Sequence, residues 1–173
     1  MSTLANARLG VRLEIRKTAE ETNGELFEFD VVGRARGLLI QSHVHTGQSE
    51  RHEVIEGSMR LVIEGRDHVL RQGEAMTVPA GATHRQVPGP GPGRVRVQHR
   101  PAGDSEAFVR RLAELDVNRL GFPRPVAAAE LVRDFGHMSH AAQPPMRAQR
   151  ALSRAILAAT SRARGSWRST RRT

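Results

Sequence analysis

Glycine recurs at intervals of eight residues through the middle of this chain, at Gly57, Gly65, Gly73 and Gly81. The segments between these glycines are short and alternate apolar with polar residues, as in SMRLVIEG and AMTVPAG. Alternation with a period of two predicts β-strands with one buried face, and glycine supplies the positive φ that tight turns need. The middle of the chain therefore predicts many short strands that form one β-sandwich or barrel.

Beyond the strand region the apolar residues change to a helical period. Phe108, Leu112 and Leu115 fit one face of a helix that begins near Ser105. Prolines open two further predicted helices, over residues 125–135 and from 144 or 145 to about 164. We therefore expect a mainly β protein whose C-terminal α-helices pack on the barrel.

The length of 173 residues suits one domain with an appendage. We expect a β-barrel over residues 1–103, a helical extension packed on it over residues 104–164, and a disordered basic tail over residues 165–173. The chain has no cysteine, so a metal site has to use nitrogen and oxygen ligands. It shows neither a signal-peptide pattern nor a long apolar run, which favours a cytoplasmic protein that does not bind membranes.

The net charge of +9 is concentrated near the C-terminus. Residues 1–103 hold 14 basic and 12 acidic residues, whereas residues 104–173 hold 13 basic and 6 acidic ones. Aromatic residues, which stack on single-stranded bases, are scarce, so the sequence disfavours nucleic-acid binding. The last predicted helix can place apolar side chains on one face and arginines elsewhere, and we expect it to support a homodimer. That face would consist of Ala148, Leu152, Ala155, Ile156 and Ala159.

The segment HVHTGQSE carries three candidate metal ligands. Alternate residues of a strand share a face, so His43 and His45 can bind the same ion. Glu50 follows a short turn and can return to that ion, and His84 is available as a fourth ligand. Imidazole and carboxylate ligands suit one divalent ion of Fe, Mn, Ni, Co or Zn per chain, and they leave coordination positions open for catalysis.

The spacing of these residues resembles the two motifs of the cupin superfamily. The first motif is matched throughout by Gly37, His43, His45, Glu50 and Gly57, and the second by Gly73, Pro79, Gly81 and His84. The resemblance implies a jelly-roll barrel of six to eight strands, with the metal bound at its centre by the three histidines and the glutamate. Pro88 stands where the second motif usually has asparagine, which puts the geometry of that loop in question. The helices after the barrel look like the extension of some small bacterial cupins.

Several other polar residues are candidates for the site. His52 shares the strand face of Glu50 and is the candidate catalytic acid or base, or else a hydrogen-bonded wall residue. The candidate substrate-binding residues lie on faces predicted to point inward, and second-shell support of the ligands is the alternative role for the two glutamines. They are Gln41, Met59, Gln86 and His99. The GHMSH segment, with His137 and His140, reads as a polar loop at a helix end rather than a second metal site.

The cupin barrel hosts many reactions, so the resemblance leaves the function open. The leading hypothesis is a metal-dependent enzyme that acts on a small organic molecule, as an Fe(II)-type dioxygenase. A second hypothesis is redox-neutral isomerisation, cyclisation or dehydration at the same ion. A third is a non-catalytic module that binds or senses a small ligand. Oxygen consumption during turnover separates the first two hypotheses.

Overall fold

The computed structural model describes residues 2–169, with side chains described for residues 2–162. The first seven strands are β1 Thr3–Asn6, β2 Val11–Lys17, β3 Phe27–Gly33, β4 His43–His45, β5 Ser49–Glu56, β6 Ser58–Ile63 and β7 Arg66–Arg71. The remaining strands are β8 Ala75–Val78, β9 His84–Pro88, β10 Gly93–Arg100 and β11 Ser139–Ala141. The helices are α1 Ser105–Ala113, α2 Pro125–Phe135 and α3 Met146–Ser169, with short 3₁₀ helices at Glu20–Thr22 and Gly37–Ile40.

The strands form two antiparallel sheets. One sheet has six strands in the order β1-β2-β3-β10-β5-β8, and the other has five in the order β11-β4-β9-β6-β7. Side chains of β4 and β9 contact Glu50 of β5, so the two sheets face each other across a shared interior. The prediction of a mainly β jelly-roll barrel followed by C-terminal helices is confirmed, with more strands than the six to eight expected.

The larger hydrophobic core joins the barrel to the extension. Leu13, Phe27 and Phe29 from the first strands pack in one cluster with Val109 and Leu112 of α1. A smaller core lies within the barrel and consists of Val54, Met59, Leu61, Leu70 and Val78. Because one continuous core includes residues of both parts, α1 is packed on the barrel in the way that its helical period indicated.

One strand of the extension was not expected from the sequence. The GHMSH segment, interpreted as a polar loop, overlaps β11, which pairs antiparallel with β4. Thr46 fixes the pairing, because its backbone N–H donates to the carbonyl of Met138 over 2.8 Å and its hydroxyl donates to the carbonyl of His137 over 2.6 Å. A three-residue strand shows no alternation in the sequence, so only its partner strand reveals it.

Within the chain, helix α3 packs through a face other than the apolar one expected at a homodimer interface. Leu152 of the expected apolar face is 61% exposed, whereas Gln149 and Ser153 are buried. Both buried side chains are hydrogen bonded: Gln149 donates to the carbonyl of Ala141 over 2.8 Å, and Ser153 donates to that of Ala129 over 2.6 Å. These bonds offset the cost of burying polar groups. A prediction that chooses the buried face from apolar residues alone does not take such bonds into account.

Two expectations about the C-terminal end are not decided here. Helix α3 continues to Ser169 and so overlaps the expected disordered tail, while residues 170–173 lie outside the described part of the chain. The homodimer likewise stays a prediction. Within residues 2–169 no helix combines the length and the apolar character needed to cross a membrane.

Candidate metal centre

Three strands bring four potential ligands together between the two sheets. His43 and His45 project from β4, and His43 lies directly opposite His84 in the pairing of β4 with β9. Glu50 enters from β5 in the facing sheet. One ligand atom from each of these four residues lies within 4.8 Å of all the others.

One oxygen of Glu50 lies close to a ring nitrogen of each of the three histidines. Its Oε2 atom lies 2.7 Å from Nε2 of His84, 3.5 Å from Nε2 of His45 and 4.0 Å from Nε2 of His43. Two ligands on opposite sides of an ion with bonds of about 2.1 Å are about 4.2 Å apart. The separations in the cluster are therefore of the size that one ion spans.

The outer nitrogens of two rings are held by the backbone. Nδ1 of His43 lies 2.9 Å from the carbonyl oxygen of Gln41, and Nδ1 of His84 lies 3.0 Å from that of Ala82. A carbonyl only accepts, so each Nδ1 carries a proton and donates it, and in the neutral ring Nε2 keeps its lone pair. That tautomer presents Nε2 to a metal ion.

These contacts also provide a test of whether a cation fits. In neutral His84 the lone pair of Nε2 would face a carboxylate oxygen 2.7 Å away, an arrangement that needs a proton or a metal ion between them. A bound cation would accept the lone pair of His84 Nε2 and balance the charge of Glu50, so the donor set fits a cation.

Electrostatics put Glu50 and His43 in the protonation state that metal binding requires. Burial, together with the neighbouring His84 and His45, lowers the pKa of His43 to about 3. Burial alone would raise the pKa of Glu50, but the surrounding imidazoles hold it well below its ordinary value. For His84, burial lowers the pKa, yet its hydrogen bond to and attraction by Glu50 outweigh this and raise it. At neutral pH, Glu50 is therefore anionic and His43 neutral.

The second oxygen of Glu50 faces two further histidines. Oε1 lies 3.1 Å from Nε2 of His99 and 3.6 Å from Nε2 of His52. His52 Nε2 donates to the side-chain oxygen of Gln86 over 2.8 Å, and the Gln86 amide donates to the carbonyl of Leu39 over 3.1 Å. Burial lowers the pKa of His52, so the ring is neutral. His99 is thus hydrogen bonded to the Glu50 carboxylate, whereas His52 lies beside the carboxylate and is held by Gln86.

A cavity of about 300 Å³ opens from the cluster toward the extension. His43, His45 and Glu50 lie at its barrel end, together with three of the other candidates, Gln41, Gln86 and His99. Its wall is mostly apolar and includes residues of the extension that the sequence did not assign to a cavity. These are Phe108, Val109, Leu112, Pro123, Ala128, Leu131 and Val132, together with the polar Ser139, His140 and Gln149.

Two of the sequence-predicted residues are placed elsewhere. His52 is fully buried behind Glu50 and does not line the cavity, so it does not reach a ligand directly. Met59 is buried in the smaller core and borders a separate small pocket beside Pro88 and Gly89. Strand alternation correctly predicted that both side chains point inward, but it does not give their depth in the barrel.

Comparison with known proteins gives a family for the barrel. Residues 34–99 match the family described as "Cupin domain". The chain is 30% identical over 63 residues to quercetin 2,3-dioxygenase of Bacillus subtilis (strain 168), a stretch that covers 36% of this chain but only 19% of that relative.

Solved structures share the fold at low sequence identity. KdgF from Halomonas sp. superposes with a TM-score of 0.50 at 20% identity, over 61% of this chain and 98% of that one. An RmlC-like cupin from Shewanella frigidimarina NCIMB 400 gives a TM-score of 0.49 at 21% identity, over 60% of this chain and 86% of that one. At such identities the similarity describes the fold alone. The family match ends at residue 99, before the extension begins.

Proposed function

Because this chain is a protein of the cupin superfamily, we propose that it is a metal-dependent enzyme acting on a small organic molecule, with an Fe(II)-type dioxygenase as the leading reaction. The observation that carries this proposal is the cluster of three imidazoles and one carboxylate at the end of a mostly apolar cavity. Ligand sites are typically concave and apolar with a few convergent polar groups. Here the polar groups converge on the cluster.

In this proposal His43, His45, Glu50 and His84 hold one divalent ion, with iron as the first choice and Mn, Ni, Co or Zn as alternatives. When bound, such an ion supplies a Lewis acid with open coordination positions that lowers the pKa of a substrate hydroxyl and, as Fe(II), supports chemistry with O₂. The site needs no thiolate for this, in keeping with a chain that has no cysteine.

The protein's own groups orient the substrate and move its proton. Glu50 is the candidate acceptor, because its carboxylate is ionised and borders the cavity. His99 lines the same cavity and lies 3.1 Å from Oε1, so it can orient the carboxylate and relay a proton. His52 acts only through Glu50 and Gln86, as a positioning residue. The apolar wall limits the access of water to these groups.

The similarity to a quercetin dioxygenase supports the oxidative reaction over the redox-neutral one. That similarity spans 36% of this chain and 19% of the relative, and the same four side chains would also serve an isomerase, cyclase or dehydratase. The two reactions differ in whether O₂ is consumed.

The test combines metal analysis with turnover under air and under nitrogen. Protein purified without chelators or a metal-affinity tag is assayed for metal, and the Fe(II)-loaded protein is then screened against flavonols and other hydroxylated aromatic compounds with an oxygen electrode. We expect O₂ uptake that disappears in His45→Ala and persists in His68→Ala, a histidine on β7 outside the cluster. Product formation that is equal under air and nitrogen would identify the redox-neutral alternative.

A further inference from the structure

The wall of the cavity opposite the metal ligands belongs to the C-terminal extension. Helix α1 contributes three of its side chains and helix α2 contributes three more: Phe108, Val109, Leu112, Ala128, Leu131 and Val132. All six are apolar, and they lie beyond residue 99, where the match to the cupin family ends. The part of the cavity that differs from a bare barrel is therefore built by the extension.

The extension is fastened to the strand that carries two of the ligands. In the pairing of β11 with β4, Ser139 lies opposite His45 and Ala141 lies opposite His43. Beyond the end of β11 the backbone N–H of Ala142 donates to the carbonyl of Ser42 over 2.9 Å. A wall held by main-chain hydrogen bonds to the ligand strand keeps a fixed distance from the ligands.

A second attachment joins the extension to the start of the first cupin motif. The N–H of Leu38 donates to the carbonyl of Gly121 over 3.0 Å, and a side chain at Gly37, whose φ is +61°, would collide with the backbone of Gly121. Leu38 and Leu39, which follow this contact, line the cavity. The wall is thus attached to the barrel at two places.

The charge of the lining limits what can bind. The chain contains 27 arginine and lysine residues, yet none belongs to the described residues that line the cavity, and Glu50 is the only carboxylate among them. Phosphates and polycarboxylates are recognised by convergent positive charge, which this lining lacks. The polar lining residues are those in and beside the metal cluster, together with Ser139, His140 and Gln149 of the extension.

We propose that the helical extension determines which class of substrate binds. The substrate is an elongated, largely apolar molecule: one oxygen-bearing end reaches the metal, and the apolar body packs against α1 and α2. This inference rests on the proposed metal site and adds the side chains that limit the length of the substrate. Ala128 and Leu131 are the specificity-determining positions, because each projects from α2 into the cavity.

Alkyl hydroxamates provide a direct test, since the head ligates a metal and the tail is varied independently. Binding of the series from acetohydroxamate to decanohydroxamate to the Co(II)-loaded full-length protein is measured by calorimetry, and the visible Co(II) spectrum reports that the metal stays bound. We expect the affinity to rise about three- to fourfold for each added methylene until the tail fills the cavity. Glucose 6-phosphate, a sugar phosphate, should not bind.

Two variants of α2 should change, in opposite directions, the tail length at which the affinity stops rising. Ala128→Phe fills the cavity, so the rise should stop at a shorter tail and decanohydroxamate should bind about tenfold or more weakly, with acetohydroxamate unaffected. Leu131→Ala enlarges the cavity and should let the rise continue to longer tails. As the control, Ala155→Phe introduces the same side chain on an exposed face of α3. It should leave the affinities of the hydroxamate series unchanged.

The outcomes separate this inference from the metal site beneath it. If acetohydroxamate fails to bind, the metal site is contradicted, while the dependence on tail length still tests the wall. An affinity that does not depend on tail length, or a limit that Ala128→Phe and Ala155→Phe shift equally, would overturn the inference and leave the metal site standing. Tight binding of glucose 6-phosphate would overturn the proposed substrate class. Circular dichroism and thermal unfolding establish that each variant is folded, and either variant of α2 alone decides the result.

Discussion

Nε2 of His84 lies 2.7 Å from Oε2 of Glu50, although the two residues are 34 positions apart and belong to facing sheets. The other ring nitrogen of His84 donates to a backbone carbonyl. The ring therefore cannot rotate away from the carboxylate without losing that bond. This pair ties the two sequence motifs to one another and lies where the proposed metal ion would be held.

Replacing the carboxylate should affect metal binding more than replacing the histidine behind it. Glu50→Gln keeps the shape of the side chain but removes the charge, so we expect metal affinity to fall by about tenfold or more. His52→Ala should retain the metal but lower stability by about 2–3 kcal/mol, because it leaves a buried void and the Gln86 oxygen without its donor. Metal titration and chemical denaturation of both variants provide the measurement. Equal loss of metal in the two would mean that His52 is a ligand rather than a positioning residue.

The extension should be necessary for a stable barrel. A chain that ends at Ala102 exposes the core side chains that α1 covers, among them Leu13 and Phe29, and removes β11, one of the two strands that pair with β4. We expect this fragment to aggregate or to unfold without a cooperative transition. Deletion of residues 165–173 alone is the control, and it should leave stability and retention on duplex DNA little changed. A monodisperse fragment with an unaltered melting temperature would contradict the shared core.

Stability in acid should depend on Asp30, whose side chain is fully buried among three arginines. Its oxygens lie 2.9 Å from both Arg94 Nη1 and Arg96 Nε, and 3.2 Å from Arg16 Nε. Burial raises the pKa of Asp30, but the arginines outweigh it and the pKa in the folded protein is lowered. The stabilisation is therefore present above the unfolded pKa of about 3.9 and is lost as the pH falls through the lower folded value.

Asp30→Asn should reduce the free energy of unfolding at pH 7 by about 2–4 kcal/mol, because three partly buried guanidinium groups lose the buried carboxylate that neutralises them. The difference from the wild type should narrow as the pH falls below about 4. Asp67→Asn makes the same change in an exposed pair with Arg60 and should cost about 1 kcal/mol or less. Urea unfolding from pH 3 to pH 7 gives these values, and a deficit in Asp30→Asn that does not vary with pH would show that the carboxylate charge is not responsible.

The barrel and the cluster could be predicted because their signals are local. The spacing from Gly37 to Gly57 and from Gly73 to His84 encodes strands and turns, and strand alternation places His43 and His45 on one face. The structure brings both histidines together with Glu50 and His84.

The remaining features depend on tertiary contacts that local patterns do not encode. Strand β11 is recognisable only by its pairing with β4. Helix α3 offers two possible faces, and hydrogen bonds of Gln149 and Ser153 select the more polar one. The cavity wall was missed because the spacing of Phe108, Leu112 and Leu131 indicates burial, but not the gap left between those side chains and the ligands.

The most direct test of the metal centre is the metal content of the wild-type protein and three single variants, after each is offered Fe(II), Mn(II), Co(II), Ni(II) and Zn(II) in turn and then desalted. We predict about one ion per chain in the wild type and in His68→Ala, and a sharp loss of occupancy in His45→Ala and His84→Ala, since each removes one imidazole from the cluster. A wild-type protein that binds none of the five ions, or variants of the cluster that bind as well as His68→Ala, would contradict the account.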